Sequence, residues 1–248
     1  SYREFSSSIY GSESTYGYNS SEELINNILP QDLQNYFEES YTADILKIFY
    51  CGKKKPSSFW MTHLEAFRKD SRKLPEYQFF HHDPVRKHFP IQNCAQRSLK
   101  MGLRIFKKSD MDYFPMYFIN TILGDYFGSR LMSEVREKHG LTYDIGSTLD
   151  SQLHDGLFYI SAELNPNQTE NSIEIIKNEI QKLQEHKMKN SELEMVRNYL
   201  NGHIQRQIDG PYQSILLLKI LVTEFKRIDA FESLLETIKS IDQRTIRE

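Results

Sequence analysis

The sequence predicts an α+β fold, an antiparallel sheet with helices packed on one face. Residues 98–105 alternate apolar and polar side chains with period two, as a half-buried strand does. Two more strands, about 141–150 and 156–164, are joined through His154-Asp155-Gly156, whose composition suits a hairpin turn. From Thr169 onward the apolar spacing changes to that of helices. Strands adjacent in sequence, with helices grouped apart from them, argue for a layered α+β arrangement and against a doubly wound parallel sheet.

Taken in order, residues 1–20 are rich in Ser and Tyr and read as a loop. Ser20-Ser21-Glu22-Glu23 is a helix start, with Leu24, Ile25 and Ile28 on its apolar side. Pro30 opens a second short helix carrying Leu33, Tyr36 and Phe37. The apolar run 44–51, closed by Gly52, reads as a well-buried strand, and Phe59, Trp60, His63, Leu64 and Phe67 trace a helix face. Residues 70–90 are the least regular part, with Pro75, Pro84 and Pro90. Helices are expected over 111–123 and 129–138, separated by a Gly124–Gly128 break that needs either positive φ or a close backbone approach. Two stripes follow: Ile173, Ile176, Ile180 and Leu183, then Leu193, Val196, Leu200 and Ile204. Ser191 reads as the N-cap of the second, with Glu192 and Glu194 as first-turn acids. Pro211 opens a third helix and Phe231 to Ile238 supply a fourth.

Composition narrows the function classes. A chain of 248 residues can bury a sizeable core, and 15 Tyr with 15 Phe provide apolar material despite a mean hydropathy of −0.59. The net charge of −3 gives no electrostatic reason to expect nucleic acid or an anionic membrane. No apolar run approaches the roughly 18–20 residues of a membrane span; the longest, 215–222, is interrupted by Lys219 and reads as a buried helix segment. Two cysteines, Cys51 and Cys94, do not define a disulfide framework, and both read as buried free thiols in strands. The chain starts at Ser1 without a charged-then-apolar leader, which places any targeting segment outside it.

The chemically richest stretch runs from Gly128-Ser129-Arg130-Leu131 through Arg136-Glu137-Lys138-His139-Gly140-Leu141 to Tyr143. Leu131 and Val135 share one helical face, and His139-Gly140 reads as the helix stop. Arg136 and Tyr143 therefore straddle a helix-to-strand junction. A guanidinium from the last turn and a phenol from the first strand residues can reach the same spot. Both donate hydrogen bonds, and together they suit a carbonyl or a developing oxyanion. The plainer alternative is a C-terminal helix cation interacting with the dipole, beside an ordinary strand aromatic.

The segments Ile122-Leu123-Gly124-Asp125-Tyr126-Phe127-Gly128-Ser129-Arg130-Leu131, Arg136-Glu137-Lys138-His139-Gly140-Leu141-Thr142-Tyr143 and Glu192-Leu193 … Asn198-Tyr199-Leu200 resemble the second half of the M16 zinc metallopeptidases, those of pitrilysin, insulin-degrading-enzyme and processing-peptidase type. The resemblance covers nearly the whole chain. It implies residues 1–20 as the tail of a preceding half or a linker, and 21–248 as the C-terminal-type domain, cut short of a closing helix at its end. It also implies two such halves around a chamber in which peptides or unfolded polypeptides are cut. The first half holds zinc through His-x-x-Glu-His, and the second contributes an Arg and a Tyr that bind the substrate backbone. By position these are Arg136 and Tyr143.

This sequence contains no His-x-x-Glu-His; its eight histidines are 63, 81, 82, 88, 139, 154, 186 and 203. His81-His82-Asp83 with His88 matches no tetrahedral zinc spacing and falls in the Pro-rich irregular stretch. No catalytic residue is therefore expected here and no metal; zinc belongs to a partner half or subunit, and this chain alone should not hydrolyse peptides. The expected partners are that zinc-bearing half or subunit, in a homo- or heterodimer or one polypeptide, and a peptide substrate. The competing function is a catalytically inert partner or scaffold subunit that pairs with a zinc-bearing one.

Overall fold

The computed structural model describes residues 1–42, 45–57, 62–64, 76–90 and 95–247. Its centre is an antiparallel sheet of three strands, β1 (Arg97–Ile105), β2 (Thr142–Ser151) and β3 (Gly156–Leu164), in the order β1-β3-β2. Residues 152–155 form the hairpin turn between β2 and β3, closed by the Gln152 N–H donating to the Asp155 carbonyl at 2.7 Å. β3 is paired along its length on both sides, with Ile160 opposite Met101 on one flank and Ser147 on the other.

Strand alternation sorts the side chains of β3. Phe158, Ile160, Ala162 and Leu164 face the main core; Leu157, Tyr159, Ser161 and Glu163 face the other way. Over the first face lie α4 (Tyr113–Leu123), a π-helix (Met132–Lys138), α5 (Thr169–Glu185), α6 (Asn190–Gln207) and α8 (Ala230–Ser240). The apolar stripes expected from spacing supply the contacts: Phe118 and Ile122, Leu131 and Val135, Ile176 and Leu183, then Leu193, Val196, Leu200 and Ile204 are all buried. Between α6 and α8 runs α7 (Pro211–Ile220), continued by a second π-helical turn, Leu221–Phe225.

Several sequence expectations need correction. Residues 2–10 are not loop but a helix, α1 (Tyr2–Tyr10), which lies across the second face of the sheet. Tyr2 and Phe5 rest on Tyr159, with ring centroids 5.9 and 5.7 Å away. The spacing of Ser and Tyr hid an amphipathic pattern because tyrosines served as its apolar side. No strand forms over 45–51: Ile45, Leu46, Ile48 and Tyr50 are exposed and the segment is irregular, while Asp44 lies outside the described residues. Apolar content makes a strand only where a neighbouring edge accepts its hydrogen bonds. Cys51 is consequently an exposed thiol, not a buried one, and Cys94 lies outside the described residues. The helix of Phe59 to Phe67 falls mostly outside them too, with 62–64 helical. The run 215–222 is only partly buried: Leu216 and Leu218 are exposed, Leu221 is buried in a small core cluster and Leu217 packs against it. Helix α6 begins at Asn190, two residues earlier than a Ser191 cap requires, with Lys189 in the cap position. The start of α2 (Glu22–Asn26) is as expected, with Ser21 Oγ accepting the Leu24 N–H, and Pro30 opens α3 (Pro30–Ser40). Among the described residues no helix is long and apolar enough to cross a membrane.

On the second face, polar and aromatic groups join α1 and residues 76–80 to the sheet. The Asp155 carboxylate is fully buried and accepts from Arg104 Nε at 2.7 Å, Tyr77 Oη at 2.5 Å and the Gly156 N–H at 2.8 Å. Arg104 also donates to the Phe80 carbonyl and lies 3.4 Å from the Phe79 ring centroid. Removing one partner of such a buried pair strands the other charge. Asp155→Ala should lower unfolding free energy by about 3–5 kcal/mol in urea titrations, whereas Arg86→Ala, in an exposed pair with Glu170, should cost less than about 1 kcal/mol.

The same burial raises phenol pKa values. Tyr77 is pushed up to about 12 by burial and its hydrogen bond to Asp155, and Tyr117 to about 12 by burial and the nearby Asp125 charge. Tyr2, Tyr10 and Tyr113 are raised as well, chiefly by burial. In the unfolded chain these phenols lose protons near pH 10, while the folded chain keeps them. The folded state thus binds more protons above pH 10, so stability is intact below pH 10 and falls as pH climbs from 10 to 12. Titration of phenolate absorbance should show a late group that ionises only well above pH 10, together with loss of helical circular dichroism.

Candidate functional site

The site is built where the π-helix meets β2. Leu131 and Val135 are fully buried and anchor that helix, leaving Arg136 at its open side. The turn is wider than an α-helix: the His139 N–H donates to the Glu134 carbonyl at 3.3 Å. Such turns recur at functional sites. Gly140, at φ +61°, ends the helix in the left-handed region, and its N–H donates to the Arg136 carbonyl at 3.0 Å. Leu141 N–H then donates to Val135 O at 3.0 Å, so the chain turns directly into β2.

The start of β2 is irregular, with a bulge between Thr142 and Ile145. The Thr142 hydroxyl spans it, donating to the Glu163 carbonyl at 2.6 Å and accepting the Asp144 N–H at 3.1 Å. Tyr143 emerges there with 83% of its surface exposed. Further along, the outer edge of β2 is already taken, because Ser147 N–H donates to the Gly124 carbonyl at 3.2 Å. A side chain at Gly124 would sit 2.3 Å from that nitrogen, so the break between helices needs glycine for close approach and not for positive φ, its φ being −157°.

Arg136 and Tyr143 line one open groove of about 610 Å³, together with Ala95, Gln96, Gly140, Leu141, Thr142, Glu163 and Asn165. The two arginines of the motif meet different fates. Arg130 forms a two-pronged ion pair with Glu192 of α6, at 2.7 and 3.0 Å, and is structural. Arg136 has no carboxylate within ion-pair distance among the described residues. Its guanidinium lies 5.3 Å from the Phe127 ring centroid and its Nη1 is 3.8 Å from Met132 Sδ. Those neighbours hold a cation by packing and ring electrostatics without neutralising it. On the same helix Lys138 bonds Glu134 at 2.6 Å, and that bond holds the Glu134 carboxyl below its ordinary range. A free guanidinium and an exposed phenol in one groove can donate to a backbone carbonyl.

Phe127, Met132, Gln96, Glu163 and Asn165 were not singled out by sequence. Glu163 carried one usable signal, as the polar neighbour of Leu164 in an alternating strand; Gln96 and Asn165 join the groove only through strand pairing. His139 caps the helix end and is exposed. Among the described residues no three His, Cys, Asp or Glu side chains converge as a metal centre requires, and the His81–His88 stretch is no exception. The described residues do not fit a zinc site.

A three-stranded antiparallel sheet under a helical layer, with an open groove at one end, defines an α+β domain. Residues 27–200 match the family described as the peptidase M16 inactive domain, and the chain belongs to that family. It is similar to an uncharacterised zinc protease of Streptomyces coelicolor, 31% identical over 111 residues, 45% of this chain and 24% of that protein. An uncharacterised zinc protease of Bacillus subtilis is 24% identical over 211 residues, 80% of this chain and 50% of that protein. The crystal structure of a peptidase M16 inactive domain from Pseudomonas fluorescens shares the fold, with a TM-score of 0.76 at 20% identity over 99% of this chain and 60% of that one. The chain thus spans half or less of the length of these two curated relatives.

The Gly140 position is open, with no atom within 4 Å of an added Cβ, so only backbone strain opposes substitution. Gly140→Ala should cost about 1–2 kcal/mol of unfolding free energy, and Gly140→Asn should cost less, because Asn tolerates the left-handed region.

Proposed function

We propose that this chain is the substrate-binding C-terminal half of an M16-type zinc-dependent endopeptidase acting on peptides or unfolded polypeptide. Its carrying observation is the unpaired Arg136 guanidinium sharing a groove with the exposed Tyr143 phenol at the helix-to-strand junction. Arg136 and Tyr143 hold the substrate carbonyl as donors; neither moves a proton. Hydrolysis requires zinc and an activated water from another half of the same polypeptide or from a partner subunit, and this chain alone does not cut. Residues 1–20 form the end of the preceding half or a linker, docked on the back of the sheet through α1. The family's description as an inactive domain supports the division of labour. It equally favours a second reading, an inert M16-like partner or scaffold subunit beside a zinc-bearing one.

The test uses the full-length protein with its zinc-bearing half. Arg136→Ala and Tyr143→Phe should each lower kcat/KM for peptide cleavage, by about 10- to 100-fold together. Unfolding midpoints should stay near wild type, since neither side chain is in the core. Undiminished turnover in the double variant overturns the substrate-binding reading and leaves the scaffold one.

A further inference from the structure

The groove that holds Arg136 contains a second unpaired charge. Glu163, near the end of β3, is the only acidic residue among its described lining groups, as Arg136 is the only basic one. The backbone of Glu163 is fixed by the Thr142 hydroxyl on its carbonyl and by pairing with Ser98 of β1. Alternation aims its side chain away from the core that Leu164 enters, and the residue is exposed. Among the described residues no Lys, Arg or His lies within ion-pair distance of its carboxylate, and it does not pair with Arg136 across the groove. Gln96, Asn165 and Thr142 fill the rest of the polar lining without adding charge.

Two opposite charges that share a groove without neutralising each other suit a ligand that is itself polarised. A peptide offers a carbonyl to the guanidinium, and a cationic side chain nearby would meet the carboxylate. We propose that Glu163 is a specificity-determining residue that makes the groove favour peptides with a Lys or Arg side chain close to the bound carbonyl. This rests on the backbone-holding role proposed for Arg136 and Tyr143. An acidic side chain in the same place is disfavoured by Glu163, and the preference is electrostatic, so salt weakens it.

The experiment measures binding of fluorescently labelled, alanine-based peptides to the full-length protein by anisotropy. Each peptide position is replaced in turn by Lys, by norleucine as its uncharged counterpart, and by Glu. At one position Lys should bind about two- to fivefold tighter than norleucine at low salt, with Glu weaker than both. Glu163→Gln should bring the Lys-to-norleucine ratio to about one, and Glu163→Lys should reverse the order in favour of Glu, a gain that misfolding cannot mimic. A Lys preference that survives Glu163→Gln, or no preference at any position in wild type, overturns the inference. Arg136→Ala separates the two readings. If norleucine peptides bind this variant as well as wild type while the Lys preference persists, the backbone-holding role fails and the acidic selection stands. If norleucine binding falls in Arg136→Ala but charge never matters, the reverse holds.

Discussion

The whole arrangement depends on the double pairing of β3. Its backbone is hydrogen-bonded to β1 on one side and β2 on the other, and its side chains alternate between two occupied faces. A slip of one residue would push Phe158, Ile160, Ala162 and Leu164 out of the core and bring Tyr159, Ser161 and Glu163 into it. That penalty locks the register. Because the register is locked, the Glu163 carbonyl meets the Thr142 hydroxyl, the bulge at the start of β2 is held, and Tyr143 emerges beside the π-helix. The groove is therefore a consequence of core packing many residues away from it.

Charge is handled differently at the back of this sheet and at the groove at its end. Behind it, Arg104 and Asp155 are desolvated and mutually satisfied, with Tyr77 and the Gly156 amide taking up the remaining acceptor capacity of the carboxylate. At the groove, Arg136 and Glu163 stay unpaired and in contact with water. A buried charge without partners would be too costly to keep, while a charge at an open groove remains available to a ligand. Arg130 and Arg136 make the contrast within one short stretch. The first reaches Glu192 and ties the π-helix to α6; the second rests against Phe127 and Met132, which position it and leave its charge unanswered.

Strands β1, β2 and β3, the hairpin between the last two, the Gly140 stop and the helix stripes facing the core were legible because each is written in local periodicity or turn chemistry. Leu131 with Val135, or Leu193 with Val196 and Leu200, lie on one side of any helix whatever surrounds it. Helix α1 was not legible, since its apolar side is made of tyrosines and Phe5 whose burial depends on Tyr159 of a strand far along the chain. The run 45–51 misled for the converse reason: it has strand composition but is exposed and unpaired here.

The same division applies to the groove. Sequence alone determined that a guanidinium and a phenol stand seven residues apart across a helix-to-strand turn, because the glycine stop and the alternation after it are local. Only the tertiary structure decided that Arg130 is neutralised and Arg136 is not, and that Glu163, Gln96 and Asn165 share the groove with Arg136 and Tyr143. Ion pairing and groove lining join groups from separate elements, and their meeting is set by the register of β3 and the packing of α6, which no local pattern encodes.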